Sequence, residues 1–127
     1  MNKTTNIIYW AATGILGVGM CFSGIASLLG VEEVVGAIIG LGYPEFFPPF
    51  LGVLKILGGL TILLVKIPQI KTGAYAGIFF WLIGAIYSHL AFGDPITSVV
   101  PLVGLFVLAG TSFYLWNKHT LSPKLAA

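Results

Sequence analysis

Four long apolar runs, at residues 7–31, 46–65, 72–93 and 95–117, fill most of this 127-residue chain, and only the second contains a charge, Lys55. About 20 consecutive apolar residues match the ~30 Å hydrocarbon core of a bilayer at ~1.5 Å rise per helical residue. The mean hydropathy of +1.02 and a charged fraction of 8% exclude a water-soluble domain of this size, which could not hide so much apolar surface. The expected fold is an all-α, four-helix transmembrane bundle forming a single integral-membrane domain over residues 1–127. Its spans are placed at about 7–29, 46–65, 72–92 and 96–117. The first run is too long, and too poorly followed by a small-residue cleavage site, for a removed signal peptide, so it is read as the first span.

Charge sets the orientation. Lys3, Lys66, Lys71, Lys118 and Lys124 all fall on one side of a four-span chain, while Glu32, Glu33, Glu45 and Asp94 fall on the other. Basic segments stay in the cytoplasm, so both termini are expected there, in a cell (inner) membrane of bacterial type. The chain has no arginine and its lysines are scattered, which argues against nucleic acid as a partner. The partners expected instead are the bilayer and either a second copy or another membrane protein.

Residues 31–45 are too short to span. They read as an interfacial or shallowly re-entrant helix ended by the turn Gly42-Tyr43-Pro44. Pro48-Pro49 opens the second span in its first turn, the one place a helix tolerates proline readily. Residues 66–71 read as a hairpin turn, with Thr72 capping the third span. Gly93 ends that span, Asp94 caps the next, and Tyr114 and Trp116 form an aromatic belt. The tail after Asn117 is short and polar. Two helix faces are rich in small residues: Thr13, Gly17, Met20, Gly24 and Ser27 in span one, and Gly73, Gly77, Gly84 and Ser88 in span three. Gly17, Gly24, Gly77 and Gly84 are therefore expected to let helices approach closely, against another span or a second copy.

An ionisable residue inside a span marks a functional site, because a lysine at the bilayer centre costs roughly 2.5–3.5 kcal/mol on insertion scales. Lys55 is flanked by Gly52 and Gly59. Counting from a turn centred between Pro68 and Gln69, it levels with about Leu82, beside Trp81, whose indole can hold an ammonium. His89, Glu45 and Asp94 gather at the acidic side and form a polar mouth. Lys55, Trp81, His89, Glu45 and Asp94 are the candidate ligand-binding residues. Lone Cys21, inside span one, reads as a small apolar side chain. The sequence offers no metal-ligand set, no phosphate-binding glycine loop and no nucleophile–base pair, so no catalytic residue is assigned.

The segments Leu41-Gly42-Tyr43-Pro44-Glu45, Leu51-Gly52-Val53-Leu54-Lys55-Ile56-Leu57-Gly58, Ala74-Tyr75-Ala76-Gly77-Ile78-Phe79-Phe80 and Ser88-His89-Leu90-Ala91-Phe92-Gly93-Asp94 resemble the DoxX-like family of small four-span membrane proteins. The resemblance implies a four-helix membrane bundle. The family takes its name from a subunit of a thiosulfate:quinone oxidoreductase, and it includes redox-associated membrane subunits and an animal chaperone for receptor assembly. Many relatives carry an aspartate after the Phe-Phe pair, where this chain has Trp81. The reading is a protein that holds a lipid-soluble ligand, a quinone or a lipid, around Lys55, as a membrane subunit of a redox system. The alternative is a non-enzymatic assembly factor that holds other membrane proteins on its small-residue faces. Redox chemistry by this chain would need a bound quinone, since its residues carry no electrons themselves.

Overall fold

The computed structural model describes residues 2–121. Among these residues there is no strand, and the helices are α1 (Lys3–Leu29), α2 (Glu32–Gly40), α3 (Phe47–Leu64), α4 (Pro68–Phe92) and α5 (Val100–Trp116). A 3₁₀ turn at Ile96–Val99 leads into α5, and a π-helical turn at Asn117–Leu121 follows it. Four helices are long and apolar enough to cross a membrane: Lys3–Leu29, Phe47–Leu64, Pro68–Phe92 and the continuous stretch Ile96–Thr120. Their outward faces carry large apolar side chains such as Phe22, Leu29, Phe80 and Val107, a surface suited to lipid rather than water. Below, the acidic end is the one bearing Glu32, Glu33, Glu45 and Asp94, and the basic end is its opposite. Lys124 lies outside the described residues.

Local chemistry fixes the helix ends. Asn2 caps α1 by accepting the Thr5 amide at 2.8 Å. Gly30 adopts φ 76°, and the amides of Gly30 and Val31 close the helix on Ser27 and Ala26. Gly93, at φ 95°, ends α4 in the same way, with its own amide on Leu90 and that of Asp94 on His89. Left-handed φ is cheap only for glycine, which is why both reversals use it. The prolines at 48 and 49 sit in the first turn of α3. Helix α2, with no buried residue, is short and packs lightly between α1 and α3.

The turn between α3 and α4 is shorter than the sequence suggests. Only Val65, Lys66 and Ile67 lie outside the helices, and α4 begins at Pro68. Proline at a first helical turn loses no hydrogen bond, so the helix starts there rather than at Thr72. Thr72 is not a cap: its hydroxyl donates back to the Pro68 carbonyl at 2.7 Å. Lys71 is thus helical and buried rather than a loop lysine.

The helices run up-down-up-down, and α1 makes its most extensive contact with α3. That seam is built on glycine. A Cβ on Gly24 would lie 2.5 Å from the Gly52 carbonyl oxygen, and one on Gly59 would lie 2.7 Å from that of Gly17. On Gly17 it would meet Leu63 at 2.6 Å. Backbones this close gain dispersion contact that bulkier residues would forbid. Helix α4 behaves differently. Cβ atoms on Gly73, Gly77 and Gly84 would meet nothing within 4 Å, so this face is not packed on another span of the chain. Within this chain, the small residues there leave space instead of closing it.

The basic half of the bundle holds the core. Tyr9 and Leu16 of α1, Tyr75, Ile78 and Leu82 of α4, and Ala109 and Trp116 of α5 converge there. Trp116 is 5% exposed and stacks on Tyr75 with centroids 5.6 Å apart, so it belongs to the core and not to an interfacial belt. It shares a helix face with Ala109 and Ser112, and that face turns inward. The hydroxyls of Thr13, Ser112 and Tyr75 form a buried chain with O···O distances of 2.5 Å. Lys71 donates to Tyr9 at 2.6 Å and lies over the rings of Tyr9 and Trp116.

Candidate functional site

Helices α3 and α4 are neighbours but pack less closely than α1 and α3, and two cavities lie between them. The cavity toward the basic end has a volume of about 340 Å³ and is walled by residues such as Leu54, Thr61, Ala74 and Ile78, with Met20 of α1. The cavity toward the acidic end has about 350 Å³ and is walled by Ile38 of α2, Tyr43, Phe80, Ser88, His89 and Leu102, among others. Gly77 lines the first and Gly84 the second, which accounts for the space beside them. Leu51, Lys55 and Trp81 line both, so the lysine and the indole form the partition.

Lys55 is 8% exposed. Its Nζ donates to the Ser23 hydroxyl at 3.1 Å and lies 4.8 Å from the Trp81 ring centroid. The one side-chain ion pair among the described residues is His89 with Asp94, so no carboxylate answers this ammonium. A hydrogen bond from a charged donor contributes about 1.5–3 kcal/mol, and a desolvated cation–π contact about 2 kcal/mol. Together these are of the same order as the insertion penalty, which explains how the charge is held without an acid. Among the described residues, only one of its three N–H donors has a hydrogen-bond partner. A ligand oxygen in either cavity would give the others theirs.

The contact with Trp81 arises in a way the sequence count does not anticipate. With the turn at Val65–Ile67, equal counting places Lys55 beside Gly77, four residues before Trp81. Helical side chains lean toward their own N-terminus, and α3 starts at the acidic end. The four-carbon stem of Lys55 therefore rises toward that end and spans the roughly 6 Å that four residues of α4 represent. Ser23, on α1, receives the ammonium from the other side. No periodicity in the chain announces this serine, which lies one residue off the small-residue stripe.

The remaining candidates sit at the acidic end. His89 lines the acidic-end cavity, and its Nδ1 lies 2.7 Å from Asp94 Oδ2. Asp94 does not cap the following helix; the residue at that cap position is Pro95, and no side chain makes a cap hydrogen bond there. The glycine reversal folds Asp94 back over the last turn of α4, which turns its carboxylate to His89 instead. Asp94 thus reaches the cavity only through the histidine. Glu45 is exposed in the turn between α2 and α3 and lines neither cavity. Beside His89, the Tyr43 and Ser88 hydroxyls are bonded at 2.7 Å, and Tyr43 stacks on Phe47 at 4.7 Å, fixing that wall. The sequence reading overlooks this pair, although Tyr43 is placed in its turn correctly.

No group of three or more His, Cys, Asp or Glu side chains that could hold a metal ion occurs among the described residues. The site is an apolar, two-chambered space with one cation at its middle and one histidine at its mouth, in a protein that four apolar helices define as a multi-pass membrane protein. The sequence model of the DoxX-like family matches residues 11–111, and the chain belongs to that family. Comparisons with curated proteins and with solved structures find no match.

Proposed function

We propose that this protein binds a lipid-soluble molecule bearing a hydrogen-bond-accepting oxygen, a quinone or a lipid, in the space between α3 and α4. The observation that carries the reading is the position of Lys55: a buried cation, unanswered by any acid, at the shared wall of two apolar cavities. Lys55 anchors the oxygen, Trp81 stacks against the adjoining ring or chain, and His89 lines the mouth. The cavities supply apolar walls for the remainder of the molecule, the usual composition of a small-molecule site. In this reading the protein serves as a membrane subunit of a redox system. The acidic end faces outward from a cell (inner) membrane and the basic end faces the cytoplasm.

Mass spectrometry of gently purified protein tests this. A co-purifying quinone or lipid that is lost from Lys55→Met supports it, and identical bound molecules in both proteins overturn it.

A second reading, an assembly factor for other membrane proteins, draws on the open α4 face of Gly73, Gly77 and Gly84. Gly17 and Gly24 are already occupied by α3 and would not be available to it. Co-purification of a defined membrane protein that is lost on enlarging Gly77 or Gly84, with Lys55→Met harmless, would favour this reading.

A further inference from the structure

Anchoring at Lys55 leaves one part of the acidic-end cavity without a task. His89 is held by Asp94 through Nδ1, and the two side chains are 23% and 30% exposed. The Asp94 carboxylate engages Nδ1, so Nε2 is the ring nitrogen it leaves for another partner. Asp94 is itself fixed, because the Gly93 reversal ties its backbone amide to the His89 carbonyl at 3.0 Å. The imidazole is therefore oriented in the wall of an apolar cavity, and both side chains stay partly exposed at the acidic end.

We propose that His89, positioned by Asp94, exchanges a proton with the bound molecule, and that this molecule carries an ionisable hydroxyl of the phenol or hydroquinone class. The inference rests on the ligand-binding reading above and adds to it the chemical class of the ligand. The step is a simple transfer. The ligand O–H bond breaks with its electron pair left on oxygen, and an N–H bond forms at Nε2. Asp94 faces the imidazolium charge so produced. The proton then leaves to water at the acidic end, and no electron moves. Other titratable groups facing this cavity are Lys55, at its far end, and Tyr43, whose hydroxyl is engaged by Ser88. Lys55 meets Trp81, and His89 follows Trp81 by eight residues, about 12 Å of helix, so the two sites act on different parts of the space.

An ion pair serving only to close the C-terminus of α4 would show the same 2.7 Å contact, and the test separates the two roles. The probe is a long-chain alkyl-4-nitrophenol, whose phenolate absorbs at a different wavelength from the phenol, titrated into the full chain in lipid nanodiscs. Bound to the wild type, it should ionise about one pH unit below the same probe in empty nanodiscs, a tenfold larger phenolate ratio at a given pH. His89→Gln should bind the probe and lose that displacement. Asp94→Asn should lose most of it, and Asp94→Glu should restore it, which a helix-closing role would not require of an optical pH titration. Ionisation at the same pH in wild type, His89→Gln and Asp94→Asn, with binding intact, overturns the proton exchange alone. Absence of saturable binding to the wild type overturns the ligand-binding reading and the exchange together.

Discussion

The Lys71 ammonium donates to the Tyr9 hydroxyl at 2.6 Å, and this one bond joins the first turn of α4 to the second turn of α1 across the bundle. Lys71 is 7% exposed, with the rings of Tyr9 and Trp116 at 5.4 and 5.2 Å. Removing one partner of a buried pair costs more than removing both, because the survivor stays buried and unsatisfied. Tyr9→Phe should therefore lower stability by about 1–3 kcal/mol. Adding Lys71→Met to it should recover most of the loss. Thermal unfolding in detergent reads both. A double variant less stable than Tyr9→Phe would show that the lysine contributes packing that methionine cannot replace.

Glycines 24 and 77 should respond in opposite ways to the same small change. Alanine at Gly24 would push a Cβ to 2.5 Å from the Gly52 carbonyl, a backbone atom that cannot swing aside. Overpacking of this kind costs about 1–3 kcal/mol, so Gly24→Ala should unfold at lower temperature or give less folded protein. Gly77→Ala, which meets nothing within 4 Å, should fold like the wild type and only narrow the cavity. Equal tolerance at both positions would contradict the α1–α3 seam described above.

Orientation can be read by labelling single cysteines in intact cells, in a Cys21→Ala background. Gln69 and Glu33 are both exposed, at opposite ends of the bundle. With basic segments held in the cytoplasm, cysteine at 33 should react with an impermeant reagent and cysteine at 69 should be protected until the cells are opened. The reverse pattern would invert the assignment.

The apolar runs made the four helices legible, because span length is a property of composition alone. Helix ends followed where glycine or proline dictated them, as at Gly93 and Pro48. The α3–α4 turn was misjudged because Lys66 and Lys71 look alike in sequence while only one is exposed. The signal was nonetheless present: Lys71, Tyr75, Ile78 and Leu82 follow a 4-3-4 spacing, and all four are buried. Lys55 and Trp81 could be paired from the sequence, although the count that paired them used the wrong turn. Ser23 and the Tyr43–Ser88 bond were out of reach, since each depends on how two helices rotate about their axes, which no single run encodes. The open state of Gly77 and Gly84 was hidden for the same reason: a small-residue stripe reads identically whether it closes a seam or lines a cavity.

The Lys55–Trp81 pair gives the sharpest separation of function from folding. A buried charge is costly to keep in a lipid bundle, so an apolar side chain of similar length in its place should cost no stability unless the lysine braces the helices. Lys55→Met should thus keep expression and thermal stability in detergent, while the co-purifying molecule disappears. Trp81→Leu should weaken binding less, because stacking contributes less than a charge-assisted hydrogen bond. Trp81→Asp is the opposite probe. It puts a carboxylate within reach of an ammonium now 4.8 Å from the indole centroid, so the two should pair. An internal partner would then compete with any ligand oxygen for the same donors, and binding should fall although the lysine is intact. Adding Lys55→Met to Trp81→Asp would strand the acid in an apolar cavity and should destabilise the fold, which Trp81→Asp alone should not. If Lys55→Met instead collapses the protein and Trp81→Asp leaves binding unchanged, the lysine is a strut between Ser23 and Trp81. The α3–α4 cavities then lose their claim to a ligand, and the open glycine face of α4 becomes the better place to look.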